Sequence, residues 1–188
     1  MNDLSPSSTR FTADAGRRPG RFTTAEFLRM GEVGAFDDIK VELVDGEIER
    51  MQSPKGTHGG FQAAIVGQLW MLAGARVMGE TGIDLGSDTV LGCDAALLRA
   101  PMREHRLLRP EEVLLVVEVA HTSLDRDMGL KRARYATAGI PHYWVVNTAD
   151  RVAYVLGRPV EGDYRNEEEI SFGDPLDVPG TDATITIE

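Results

Sequence analysis

Hydrophobic positions change period several times along the chain, and each change predicts an element. Phe22-Thr23-Thr24-Ala25-Glu26-Phe27 carries the start signal of a helix over 24–31, with Thr23 as N-cap, Glu26 as its capping-box partner and Phe22 placed to staple onto Phe27. Val41 to Glu49 alternates around Asp45-Gly46, a dipeptide that supplies the positive φ angles of a type I′ turn, and predicts a β-hairpin. After a loop from Ser53 to Gly56, the residues Phe61, Ile65, Leu69, Leu72 and Arg76, flanked by Val66, Trp70 and Val77, recur at helical spacing and predict a long helix over 58–78. Two strands follow over 81–86 and 88–98, then a polar loop from Pro101 to Pro110.

Val113 to Val119 is nearly continuous in branched apolar residues, the pattern of a central strand covered on both faces. Thr122 and Ser123 are placed to cap the next helix, which Gly139 and Pro141 end. His142 to Val146 and Arg151 to Leu156 predict a second hairpin, and 183–187 a last strand, while 157–182 is too mixed to assign. Residues 1–20 have no period and are expected as a flexible tail, leaving 21–188 as one domain. The fold class is α/β: a mixed sheet flanked by helices, with helix, three strands, helix and strand at its centre and an N-terminal hairpin added.

Composition leaves this picture standing. A hydrophobic share of 42% and a charged share of 27% fit a globular body. No apolar run approaches the roughly 18 residues of a membrane span, and no secretory pattern opens the chain, so a soluble, cytoplasmic protein is expected. The single cysteine, Cys93, excludes an internal disulfide and a thiolate zinc cluster. A net charge of −10 counts against a tight, non-specific DNA binder, since phosphate binding draws on clustered Lys and Arg. It does not exclude a metal-dependent nuclease, whose ligand carboxylates are counted as charge while the neutralising ions are not.

Glu118 carries the first chemical signal, because a carboxylate inside an apolar strand costs several kcal/mol unless it is paired or bound to metal. Leu124, Met128, Lys131, Tyr135 and Ala138 share one face of the following helix, so Lys131 points where the apolar residues point. Asp94, again acidic within an apolar strand, is the third member. Two carboxylates on neighbouring strands repel unless a cation lies between them, and hard oxygen ligands favour Mg²⁺ or Mn²⁺. Such an ion with a nearby ammonium is equipped for phosphodiester hydrolysis. A buried structural ion pair would also explain Glu118 and Lys131; Asp94 tips the balance towards a site.

Glu42 on the hairpin and His58 at a helix start are candidate additional members; an outward-facing strand carboxylate and a partial cap are their plainer readings. Asp127 is placed to pair with Lys131 one turn on. Tyr135 reads as core with a polar tip, Tyr143 and Trp144 as core, and Glu167-Glu168-Glu169 as a solvated face. Arg103, Arg106 and Arg109 are the nearest thing to a basic patch.

The run Val41 to Ile48, the helix opening near His58, Asp94 in its strand, Val116-Val117-Glu118-Val119, the Asp127, Lys131, Tyr135 spacing, and Gly139-Ile140-Pro141-His142-Tyr143-Trp144-Val145-Val146 together resemble the Uma-type restriction endonuclease family, over roughly 22–180. Its members are similar to PD-(D/E)XK nucleases with the motif lysine moved onto the following helix, and here Ala120 occupies the strand position while Lys131 lies on the helix. The resemblance implies a restriction-endonuclease-like fold, a nuclease and a homodimer, while the substrate does not come with it. The first reading is a Mg²⁺- or Mn²⁺-dependent DNA endonuclease in which Asp94 and Glu118 bind the metal and Lys131 positions the attacking water. Two positions depart from the family pattern: Cys93 stands where a proline usually precedes the aspartate, and His121-Thr122-Ser123-Leu124 replaces a Ser-Pro-Ser-Thr-like segment. A non-catalytic interaction module that kept the fold, or a metal-dependent hydrolase of another phosphoester, are the alternatives.

Overall fold

The computed structural model describes residues 20–51 and 56–188. The tail assigned to 1–20, Gly20 apart, and the loop Ser53-Pro54-Lys55 lie outside the described residues. Helix α1 (Thr24–Glu32) opens with its capping box: the Glu26 N–H donates to Thr23 Oγ1 at 3.2 Å and the Thr23 N–H to Glu26 Oε2 at 2.8 Å. The ring partner of Phe27 is Phe36, at 5.2 Å between centroids, while Phe22 stays on the surface and no staple to it forms.

Strands β1 (Val41–Val44) and β2 (Glu47–Arg50) form the expected hairpin, with Asp45 and Gly46 at φ 51° and 80°. Helix α2 (Gly56–Ala73) ends earlier than its apolar spacing predicts, because Gly74, at φ 56°, turns the chain into a short 3₁₀ turn and Val77 already belongs to a strand. That strand, β3 (Val77–Gly86), pairs along its length with β4 (Thr89–Leu98).

Strand β5 (Val113–Ala120) leads into one continuous helical segment made of α3 (Leu124–Arg126), a π-helical stretch (Asp127–Lys131) and α4 (Arg132–Thr137). Ser123 precedes it, but its side chain caps no backbone group. Strands β6 (His142–Asn147), β7 (Val152–Val160) and β8 (Asp163–Ser171) follow, then a small pair, β9 (Leu176–Asp177) with β10 (Thr184–Ile185). Sequence patterning leaves β8 unassigned because it is an edge strand wetted on most of its length, so no apolar alternation is required of it.

Among the described residues the main sheet has eight strands in the order β2-β1-β4-β5-β6-β7-β8, with β3 on the other side of β4. Among these described strands β5 and β6 alone run parallel, joined by the helical crossover that such a connection needs. Leu115, Val117 and Val119 of β5 enter the core under α2 with Trp144, while Val116 and Ala120 enter the core under α4 with Tyr135 and Tyr143. Glu118 falls between Val116 and Ala120, on the face that carries Lys131. No helix among the described residues is long and apolar enough to cross a membrane.

Gly46 ties the hairpin to α1 by accepting the Phe22 N–H at 2.7 Å. A Cβ there would lie 2.9 Å from Arg21 Cβ and 3.0 Å from Phe22 O, at a φ that alanine rarely adopts. Gly46→Ala is expected to destabilise the fold by about 1–3 kcal/mol, seen as a lower urea midpoint at unchanged m-value.

Candidate active site

The site lies where the sheet divides. One edge of β4 is paired continuously with β3, but the other is shared: β1 touches it at Val90, and β5 takes over only from Ala95. Backbone groups in the gap need other partners. The Gly92 N–H donates to Glu42 Oε1 at 2.9 Å; the Gly92 carbonyl accepts from Lys131 Nζ at 2.7 Å, with the Tyr135 hydroxyl oxygen 3.2 Å away. The Asp94 carbonyl accepts from Gln62 Nε2 at 2.9 Å. Side chains from α2, β1 and the crossover helix thus complete a ladder that strands leave open.

Charged side chains are buried here: Glu42 and Asp127 are 3% exposed, Glu118 and Lys131 4%. Lys131 Nζ donates to Glu118 Oε1 at 2.9 Å, and the Tyr135 hydroxyl donates to the same oxygen at 2.9 Å. Glu118 Oε2 receives no hydrogen bond from the described residues. Glu42 is not the outward-facing carboxylate that its hairpin position implies. Its Oε1 lies 3.3 Å from Lys131 Nζ, and its Oε2 accepts from Arg126 at 2.6 Å.

Asp94 has both oxygens engaged: Oδ1 lies 2.9 Å from His58 Nε2, and Oδ2 accepts the Val119 N–H at 2.7 Å. His58 therefore contributes a contact to the site rather than a helix cap. The expected ion pair of Asp127 with Lys131 does not form, because Glu118, Gly92 and Glu42 occupy the ammonium and Asp127 accepts instead from the Ser123 hydroxyl at 2.7 Å. Tyr143 and Trp144 are buried core, and the acidic run of Glu167 to Glu169 lies exposed on β8. Within the polar loop, Arg106 is committed to Glu104 and Glu112, which removes the middle member of the basic patch.

The π stretch explains how three residues four apart reach one site. On an α-helix each four-residue step drifts by about 40°, so Asp127, Lys131 and Tyr135 would spread over about 80°. A π turn inserts an extra residue and takes back part of that drift. All three are buried on the side facing β5.

Arg126 and Glu49, which the sequence reading left out of the site, complete the arrangement. Glu42 and Glu49 face one another across the hairpin, and Arg126 bridges them, reaching Glu49 at 2.6 Å as well. The signal was available: a two-residue turn at Asp45-Gly46 fixes that register, and like charges directly opposite need a cation between them.

Five carboxylates, Glu42, Glu49, Asp94, Glu118 and Asp127, are gathered about two permanent cations, Lys131 and Arg126. The imbalance shows in the titration. Burial, followed by the neighbouring Asp127 and Asp94, pushes Glu118 up to about 8 against the pull of Lys131. Burial likewise raises Asp127. For Lys131 burial disfavours the charge, but Glu118, Glu42 and Asp127 outweigh it and hold the ammonium above the ordinary lysine value. Burial keeps the Tyr135 phenol protonated, as its donor role requires. The surplus of negative charge and the burial thus both favour the protonated form of Glu118.

These groups line a cleft of about 740 Å³ with Lys40, Arg50, His121 and Thr122 among its other walls. Among the described residues no three His, Cys, Asp or Glu side chains are grouped to cage an ion by themselves. The donor set nevertheless fits Mg²⁺ or Mn²⁺. Mg²⁺ takes one or two carboxylates and fills its other positions with water and phosphate oxygens, and here two cleft-lining carboxylates, an unengaged Glu118 oxygen and a surplus of negative charge meet.

Mixed sheet, crossover helix and divided edge are those of the restriction-endonuclease-like class. A crystal structure of a putative nuclease belonging to DUF820 from Anabaena variabilis superposes with a TM-score of 0.62 at 18% identity, covering 84% of this chain and 89% of that one. The chain belongs to the Uma2 family, described as putative restriction endonucleases, whose model matches residues 24–188. Family and fold together support a nuclease-type function. No curated protein matches the sequence.

Glu118 sets a pH dependence of stability. Its carboxyl titrates at about 8 in the folded state against an ordinary value of 4.5, so between those values the folded protein holds a proton that the unfolded chain has released. That contribution is complete below the unfolded value and lost as pH rises through the folded one. In EDTA the melting temperature is expected to fall as pH rises from about 5 to about 8, and Glu118→Gln to flatten the decline.

Proposed function

We propose that the protein is a divalent-metal-dependent endonuclease that hydrolyses phosphodiester bonds in DNA, with Asp94 and Glu118 as ligands of Mg²⁺ or Mn²⁺ and Lys131 as the cation beside the reacting phosphate. The observation that carries this reading is the Glu118 carboxylate: buried, fixed at one oxygen by Lys131 and Tyr135, and left with the other oxygen without a donor among the described residues.

The cation, when bound, would neutralise phosphoryl oxygens and lower the pKa of a water at the site. The chain's own groups do the rest. Tyr135 and Lys131 orient Glu118, and His58 with the Val119 N–H orients Asp94. The Lys131 ammonium, held charged, opposes the negative charge that develops on the phosphate in the transition state. Cutting both strands of a duplex requires two such sites, which a homodimer would supply. The single reduced thiol, Cys93, suits work in the cytoplasm.

Incubation of supercoiled and linear DNA with Mg²⁺ or Mn²⁺, against EDTA controls, tests the reading. Cleavage is expected for the wild type, with losses of about 100-fold or more for Glu118→Ala and Lys131→Ala variants that remain folded. Nicked and linear products accumulating together would report paired sites. No cutting and no metal-induced rise in melting temperature would reduce the cluster to a structural network within an interaction module; a rise without cutting would direct attention to another phosphoester.

A further inference from the structure

Lys131 has three N–H donors, and they are held unequally. Gly92 O takes one at 2.7 Å and Glu118 Oε1 another at 2.9 Å, whereas Glu42 Oε1 stands at 3.3 Å, beyond the usual range of about 2.7–3.2 Å. Glu42 does not depend on that third contact. Its Oε1 keeps the Gly92 N–H at 2.9 Å, and its Oε2 keeps Arg126 at 2.6 Å. Arg126 is anchored in turn by Glu49 at 2.6 Å, and all four side chains line the cleft.

The placement of Arg126 calls for a reason. It lies in the first turn of its helical segment, where the backbone dipole disfavours a cation, and its Nε–H is buried with no partner among the described residues. A guanidinium so placed is retained for the charge it brings to Glu42 and Glu49 rather than for a saturated set of hydrogen bonds.

We propose that Arg126 is a positioning residue for Lys131: by holding Glu42 it keeps the third Lys131 donor loosely engaged, and this donor passes to a phosphate oxygen of the substrate while Glu42 stays in place. The inference rests on the nuclease reading and deepens it by naming the donor offered and the pair of residues that keeps it available. Without Arg126, the Glu42 carboxylate has Lys131 as its remaining cationic partner, closes on it and withholds the ammonium from the cleft.

Two measurements test this. In Mn²⁺-dependent cleavage, Arg126→Ala is expected to lower kcat by about tenfold or more with KM nearly unchanged, and the double variant Arg126→Ala/Glu42→Gln to recover most of that loss, because the uncharged amide no longer captures Lys131. A raised KM with no recovery in the double variant would overturn the proposal in favour of direct substrate contact by Arg126. A kcat loss without recovery would make Arg126 merely structural. In a crystal structure of Arg126→Ala, or of Arg126→Met should the alanine variant fail to fold, the Lys131 to Glu42 distance is expected to shorten below about 3.0 Å. A distance that stays at 3.3 Å would overturn it too. Should the wild type cut no DNA, the nuclease reading falls, and the crystallographic distance still decides the positioning claim.

Discussion

The contact between Glu118 and Lys131 is the constraint around which the other parts of the molecule are arranged. A carboxylate in the central strand and an ammonium on the crossover helix are each too costly to bury alone, and together they still require every remaining lone pair and proton to be met. Tyr135 supplies one of those partners, the Gly92 carbonyl another. Gly92 is available because β1 and β5 divide one edge of β4 and leave its backbone facing the gap. Sheet topology and site chemistry are therefore one fact: a fully paired β4 would have no carbonyl to offer.

The same requirement reaches the periphery. The type I′ turn at Asp45-Gly46 sets Glu42 opposite Glu49, which repel until Arg126 enters between them, and Arg126 is carried by the helical segment that carries Lys131. Hairpin and helix are locked together by charge across the cleft mouth. Burial, together with the excess of carboxylates over cations, holds the Glu118 carboxyl well above its ordinary range.

Elements with a strong period were legible in the sequence: the alternating hairpin, the continuous apolar β5 and the capped α1 stand where patterning puts them. The convergence of Asp94, Glu118 and Lys131 on one cleft follows from the anomaly of charge within apolar runs. Less visible were the end of α2, where Gly74 breaks a helical spacing that Arg76 and Val77 continue, and β8, whose exposed sequence need not alternate. The burial of Glu42 also escaped local pattern, since alternation shows which residues share a face and not which face the division of β4 encloses. Asp127 was assigned to Lys131 by helical spacing alone, and competition from three better acceptors decided otherwise.

Strand β8 closes the sheet with Arg165, Asn166, Glu167, Glu168 and Glu169 all exposed, on an edge that would otherwise invite another strand to pair. Three strand spacings, about 14 Å, separate it from β5. That exceeds the Debye length of about 8 Å at physiological salt, so its negative potential is largely screened before it reaches the cleft. In dilute buffer, where screening extends to about 30 Å, the edge and the cleft act on a polyanion together. Ionic strength then acts on this flank in the direction opposite to its action on a basic surface: salt quiets a repulsion of polyanions instead of an attraction.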